Sequence, residues 1–292
     1  MTLRDLEPEL AVVVLSVGAP EELRWAVESL REQYQSLEIV VVNSGGGDPW
    51  SRFADEESRP EIISVARLLW PGAARNLGIH STRAPWIAFL AADHVALPGW
   101  ATGRLALHHR GHRAVASAVV NSNPRNVFAW ASHLGILVRR LPGVPAEDAL
   151  PYGASYARSV FTDYGEFRED LRIGEDTEFN SRLRSEDPPV WAPAVQTVHR
   201  TPTSLQAMLR DQRERGRRRG LHWPPTQHAP LPTRVQRRFR SIVRLSWRSV
   251  SGRERWFVAA CWPFLLLGVI AYEIGTGEGI RGRDRESATS DG

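Results

Sequence analysis

Short apolar runs alternate with helically spaced segments along the first hundred residues. Leu10 to Val17 is a β-branched run ended by Gly18-Ala19-Pro20, which predicts a buried strand and a turn. Glu21 to Gln33 carries Leu23, Ala26, Val27 and Leu30 at helical spacing, with Glu21 and Glu22 in the first turn. Leu37 to Val42 predicts a second strand, ended by Asn43-Ser44-Gly45-Gly46-Gly47-Asp48, and Ile62 to Ala66 a third. Ala73 to His80 reads as a helix. Trp86 to Leu90 reads as a buried strand that closes on Ala91-Ala92-Asp93-His94. Strand and helix in alternation argue for a mostly parallel α/β sheet with right-handed crossovers. The loops after successive strands then share one edge, so Asn43 and Asp93 face the same crevice, where open α/β folds place their ligands.

Downstream, Trp100 to His109 and Val127 to Val138 predict helices and Ala114 to Val120 a strand. Leu141 to Tyr152 is a proline-rich loop, and Gly174-Glu175-Asp176 opens a helix to Leu183. Val190 to Pro193 and Val195 to His199 read as two short strands, and Ser204 to Arg219 as a helix. The expected division is a main domain over 1–222, a proline-rich linker over 223–232, membrane-associating helices over 233–275 and a disordered tail over 276–292.

The membrane expectation rests on two segments. On a helical wheel from Thr233 to Val250, Val235, Phe239, Ile242, Val243, Leu245, Trp247 and Val250 share one side. Arg237, Arg238, Arg240, Arg244 and Arg248 fall toward the other, the pattern of a basic helix at a membrane surface. The seventeen residues Trp256 to Tyr272 carry no charge, although Pro263 sits among them. That length is at the short limit for a span, and its terminal aromatics suit an interface. A buried C-terminal helix packed on the main domain is the alternative.

Charge sharpens this division. The 292 residues carry 37 basic and 33 acidic side chains, and every basic one is arginine. Thirteen arginines fall between Arg213 and Arg255 against Glu214 and Glu254, so the basic character belongs to one region. Those arginines adjoin an apolar segment with no aromatic stacking platform, and no nucleic-acid partner is expected. The single Cys261 excludes a disulfide framework and a cysteine-based metal cluster. Asp5, Glu7 and Glu9 interrupt the N-terminus and no signal peptide is expected, which points to the cytoplasmic face of the plasma membrane.

Taken together, the Val-rich first strand, the strand ending at Asn43-Ser44-Gly45, the run Gly72-Ala73-Ala74-Arg75-Asn76-Leu77-Gly78 followed by Phe89-Leu90-Ala91-Ala92-Asp93, and Gly174-Glu175-Asp176 resemble the family 2 glycosyltransferases of GT-A fold, in particular membrane-associated bacterial ones. The resemblance covers about Ala11 to Gly220 and implies an inverting, metal-dependent enzyme. Such an enzyme moves a sugar from a nucleotide-sugar donor to a sugar or lipid-linked acceptor, as in cell-envelope polysaccharide synthesis. The family's acidic run usually reads Phe-Leu-Asp-Asp-Asp. Asp93 matches its last aspartate, which binds Mg²⁺ or Mn²⁺ on the donor diphosphate. Ala91 and Ala92 replace the other two, the first of which normally helps hold the ribose.

The resemblance also implies that His199 completes the metal site and that Asp176 is the base that deprotonates the acceptor hydroxyl. Asn43 stands where the family often has an aspartate that contacts the nucleobase. Arg75, near a helix N-terminus, suits a diphosphate. Gln212-Arg213-Glu214-Arg215-Gly216 resembles the Gln-x-x-Arg-Trp motif of processive synthases with the tryptophan replaced, so processivity is not implied, and Arg215 either approaches the diphosphate or lies on an exposed basic helix. Gly45-Gly46-Gly47 lacks the Lys-Ser/Thr of a phosphate-binding loop and reads as a turn. Each residue also has a plainer role: a turn aspartate, a strand-end histidine, a first-turn acid or a surface arginine. The replacements at positions 43, 91 and 92 keep open a second reading, a catalytically degenerate GT-A protein that binds a nucleotide or a membrane partner without turnover.

Overall fold

The computed structural model describes residues 7–33, 36–53, 59–151, 153–183, 187–222 and 229–290. The chain forms two compact units, Met1–Val119 with Leu150–His199, and Val120–Ala149 with Arg200–Gly292.

The first unit is built on a mixed sheet. Among the described residues it has eight strands: β1 (Leu10–Val17), β2 (Leu37–Ser44), β3 (Glu61–Val65), β4 (Trp86–Ala91), β5 (His94–Ala96), β6 (Ala114–Asn121), β7 (Ser155–Ala157) and β8 (Val190–His199). Their order is β3-β2-β1-β4-β7-β6-β8-β5. The half from β3 to β4 is parallel throughout, while β7 pairs antiparallel with both β4 and β6, and β5 antiparallel with β8. β1 lies inside the sheet and is buried on both faces, which is why its sequence is continuously apolar. Val12 and Val14 pack with Leu23, Val27 and Leu30 of helix α1 (Glu22–Arg31). The intervening Val13 packs on the other side, where α2 (Pro71–His80) lies so close that a side chain on Gly78 would meet Val13 Cγ1 at 2.3 Å. Helix α3 (Trp100–His108) adds Trp100 and Leu105 to the α1 side. On the α2 side, Phe89, Tyr156, Phe161, Phe167 and Phe179 form one ring cluster, with centroids 4.4 Å apart for Phe167 and Phe179.

The second unit is helical. It contains α4 (Val127–Leu137), α7 (Leu205–His222), α8 (Leu231–Ser249) and α9 (Glu254–Ser290). Short helices α5 (Ser159–Tyr164) and α6 (Glu175–Arg182) belong to the first unit. Trp130, Leu134, Met208, Ile242, Val258 and Leu265 share the core of the second unit. Helices α7 and α9 meet backbone to backbone: a Cβ on Gly216 would lie 1.9 Å from the Tyr272 carbonyl oxygen, and one on Gly275 2.0 Å from that of Arg213. Gly220 and Gly279 repeat this contact one turn further along each helix. Small residues four apart are what such close approach requires.

The α/β class and the C-terminal helices agree with the sequence reading; several particulars differ. Val190–His199 is one strand rather than two, and β5, β7 and α5 were not foreseen. Residues 120–149 and 200–222 group with the C-terminal helices rather than with a domain over 1–222. Of the expected linker 223–232, residues 223–228 lie outside the described residues and Leu231 already begins α8. Val235, Phe239, Ile242 and Val243 of the apolar stripe of α8 pack into the core of the second unit, while Trp247 of the same stripe stays 41% exposed. The expected disordered tail is instead the continuation of α9 to Ser290; at Gly275 and Gly279 its backbone meets α7, which offsets their low helix propensity. By length and composition Glu254–Arg283 is apolar enough to cross a membrane, its most apolar 18-residue window having a mean hydropathy of 1.9, a test that a core helix also passes.

Candidate functional site

Asp93 lies in the turn that links β4 to β5. The Ala92 N–H donates to the Leu15 carbonyl at 2.9 Å, which carries the β1–β4 pairing to the threshold of this turn. Antiparallel pairing of β5 and β8 then puts His94 directly opposite His199. Their ring centroids are 4.8 Å apart. His94 Nδ1 lies 2.7 Å from Asp93 Oδ1, and His199 Nε2 lies 3.6 Å from Asp93 Oδ2. One ligand atom from each of Asp93, His94 and His199 falls within a 4.8 Å group. The Asp93 carboxyl sits well below the usual carboxylate range: burial opposes its ionisation, and hydrogen bonds and charge from His199 and His94 overcome it.

These donors fit a divalent ion. One carboxylate and two imidazoles suit Mn²⁺ better than Mg²⁺, which prefers oxygen ligands. Sequence reasoning missed His94 because its place in the site is set by pairing with a residue 105 positions later.

Arg75 stands on α2 with its guanidinium bonded to Glu175, both side chains nearly buried at 11% and 8% exposure. It also lies 5.1 Å from the centre of the Phe167 ring and 5.5 Å from that of Phe89. The next residue of the same motif, Asn76, pins the segment ahead of α6. Its Oδ1 accepts from the Phe167 N–H at 3.1 Å and its Nδ2 donates to the Phe167 carbonyl at 2.9 Å. The helix-start motif thus holds Glu175 and the approach to Asp176. Gly174 precedes α6 in the left-handed region at φ 81°, and Asp176 Oδ1 accepts from the Thr177 N–H at 2.8 Å. The Asp176 carbonyl accepts from Asn180 Nδ2 at 2.7 Å, and Asn180 Oδ1 accepts from the Tyr156 hydroxyl at 3.1 Å.

Asn43 is placed differently from its expected role. It is fully buried, and its Oδ1 accepts from Ser16 Oγ and the Ala19 N–H, both at 2.9 Å. Its Nδ2 donates to the Gly46 carbonyl at 2.9 Å and to Ser64 Oγ at 3.4 Å. The amide is saturated and builds the glycine turn, where a Cβ on Gly47 would meet the Gly18 carbonyl at 2.4 Å. Arg215 belongs to the second unit, where its Nε pairs with Asp211 on α7 at 2.9 Å.

Beside the histidines, a small cavity of about 30 Å³ is lined by Arg75, Phe89, Ala91, His94, Arg104 and Thr197, among others. Arg104 is fully buried and stacks 4.2 Å from the Trp100 ring. It donates to the carbonyls of Val115 and Gly153 and to the hydroxyls of Ser117 and Ser155, at 2.6–3.1 Å. His108 continues this network, with Nε2 2.8 Å from Ser155 Oγ and Nδ1 2.7 Å from the His112 carbonyl. Burial, aided by the Arg104 charge, pushes the His108 imidazole down to about 4.

Known proteins of similar sequence or fold are consistent in kind. Glycosyl transferase family 2 matches residues 11–165. A pre-mycofactocin glycosyltransferase of Mycobacterium tuberculosis is 28% identical over 191 residues, 60% of this chain and 39% of that protein. The succinoglycan biosynthesis protein ExoO of Rhizobium meliloti is 33% identical over 97 residues, 32% of this chain and 28% of that protein. The chain therefore spans well under half the length of these relatives. The mannosyltransferase PcManGT from Pyrobaculum calidifontis, solved with GDP-Man and Mn²⁺, superimposes with a TM-score of 0.59 at 14% identity, over 94% of this chain and 88% of that one. TarS of S. aureus with UDP-GlcNAc gives 0.51 at 12% identity, over 87% and 71%. These likenesses establish a GT-A-like fold. With the match over more than half its length, the chain belongs to glycosyl transferase family 2.

Proposed function

We propose that this protein transfers a sugar from a nucleotide-sugar donor to an acceptor hydroxyl with inversion, at the cytoplasmic face of the membrane. The observation that carries the reading is the convergence of Asp93, His94 and His199 at the C-terminal edge of β4. An Mg²⁺ or Mn²⁺ ion held by these three residues would neutralise charge on the leaving diphosphate. Asp176, at the start of α6, takes the proton of the acceptor hydroxyl as its oxygen attacks the anomeric carbon. Arg75, neutralised by Glu175, orients the segment that carries this base and leaves charge compensation of the diphosphate to the Asp93 cluster. The relatives bear on the donor class: TarS was solved with UDP-GlcNAc and PcManGT with GDP-Man.

The test is release of nucleoside diphosphate from a panel of UDP- and GDP-sugars with Mn²⁺, followed by the anomeric configuration of the product. Release abolished by Asp93→Ala and by Asp176→Asn, with an inverted product, is expected. A retained anomer removes the inverting mechanism. The replacements at Asn43, Ala91 and Ala92 motivate a second reading, a catalytically degenerate protein that binds a nucleotide or a membrane partner without transfer; nucleotide binding with no turnover on any donor selects it.

The membrane reading draws on α8. Arg240, Arg244 and Arg248 are exposed one turn apart and, with Arg139 and a single acid, Asp148, line a groove of about 520 Å³. Anionic headgroups suit such a ladder. The chain lies on the membrane rather than across it: the apolar α9 packs along the arginine-rich α7, and Arg213–Glu278 and Arg234–Glu273 pairs flank the contact. Charged groups of this number do not enter hydrocarbon. Flotation with phosphatidylglycerol vesicles, and none with phosphatidylcholine, is expected. At about 1 kcal/mol per arginine near the surface, Gln at 240, 244 and 248 together weakens binding about a hundredfold. Equal flotation of the triple variant overturns this surface.

A further inference from the structure

The second unit holds a cleft that the Asp93 cluster does not use. Its volume is about 420 Å³, within the range of small-molecule sites. Trp130 of α4, Leu141 and Pro142 of the following loop, and Val250 after α8 supply apolar walls. The loop and the end of α8 meet at backbone distance, since a Cβ on Gly143 would lie 2.0 Å from the Ser249 carbonyl oxygen. The indole of Trp130 is fixed by donation to the Pro124 carbonyl at 2.9 Å.

The polar lining groups are unevenly used. Asn121 is only 9% exposed, and its Oδ1 accepts from the Asn123 N–H at 3.0 Å and from Thr201 Oγ1 at 3.2 Å. Its Nδ2 is buried with no partner, and so is the Ser249 hydroxyl. Both residues line the same cleft, so polar atoms of a ligand there would find a donor amide and a hydroxyl not used within the protein. The one charged lining residue among those described is Glu254, an acceptor, so an anionic ligand is disfavoured. Apolar walls with a donor amide, a hydroxyl and a carboxylate match an uncharged ring that has a C–H face and several hydroxyls.

We propose that this cleft binds a sugar ring of the acceptor, with hydroxyls on Asn121 Nδ2, Ser249 Oγ and Glu254. Its role as an acceptor site rests on the sugar-transfer reading above, while the binding itself is independent of turnover.

Saturation-transfer NMR on the full chain, without donor, tests it with the methyl glycosides of glucose, galactose, mannose and N-acetylglucosamine and with maltose and cellobiose. At least one is expected to bind. Ser249→Leu, which fills the cleft, and Asn121→Asp, which keeps the Oδ1 acceptor and replaces the donor by a charge, are each expected to weaken it at least tenfold. Unchanged circular dichroism shows that each variant folds, and Asn121→Asp decides the matter if Ser249→Leu does not. Absence of binding, or equal binding by a folded variant, overturns the cleft. Glycoside binding without turnover on any donor defeats the sugar-transfer reading and leaves the cleft standing. Turnover without glycoside binding does the reverse.

Discussion

The carboxylate of Glu175 neutralises the guanidinium of Arg75 from 100 positions away, in a pocket walled by Phe89 and Phe167. Each of the two lies in a motif of its own, and their pairing ties α2 to the start of α6. Removing the carboxylate takes from a nearly buried guanidinium its charged partner on α6. Glu175→Gln is expected to cost about 3–5 kcal/mol. For a protein of this size that lowers the melting temperature by roughly 10 °C, read by circular dichroism. A loss below about 1 kcal/mol would mean that the pair is solvated.

The metal-binding assignment predicts a graded response. Mn²⁺ titration followed by electron paramagnetic resonance of the free ion is expected to show binding weakened about 10–100-fold by His94→Ala or His199→Ala, and more by Asp93→Asn. Wild-type affinity in the His94 variant would remove His94 from the site.

A pH dependence follows from His108. Its folded pKa, about 4, lies below the unfolded value near 6.5, so between these values the unfolded chain binds more protons. The stabilisation is complete above about pH 6.5 and is lost as the pH falls toward 4, in total about 3 kcal/mol. Urea denaturation at pH 7, 6, 5 and 4.5 reads it. His108→Gln is expected to flatten the slope in this window; an unchanged slope would assign it to other groups.

The glycine contacts between α7 and α9 predict sharp steric sensitivity. Gly216→Leu would push a side chain into the Tyr272 carbonyl and separate the helices, at a cost of about 1–3 kcal/mol or more. Limited proteolysis after α7 should accelerate. Gly282, where a Cβ meets nothing within 4 Å, is the control, and Gly282→Ala should leave the rate unchanged.

Much of the first unit was legible because buried parallel strands write their burial on both faces. β1, β2 and β4 are apolar runs of ordinary strand length, and Asp93 marks where β4 ends. The three-residue β5 and β7 are too short to show a period. Asn43 could be seen as a residue at a strand end, but not as an amide already saturated by Ser16, Ala19 and Gly46, because those partners are set by the tertiary turn. The glycines of α9 mislead in the opposite sense: local propensity argues for disorder, and a neighbouring helix supplies the order. Arg75 showed its charge and its place near a helix start, while its partner stayed hidden in a distant motif.

The pairing of β5 with β8 also sets an order of events. His94 leaves the ribosome long before His199, and the two can be brought opposite one another only after the intervening 104 residues have been made, helix α4 and strand β7 among them. Closing so long a loop is entropically costly and comes late. On the proposed metal reading, a nascent chain stalled before β8 would carry Asp93 and His94 without His199, and the three-residue group would be complete only when the last strand docks.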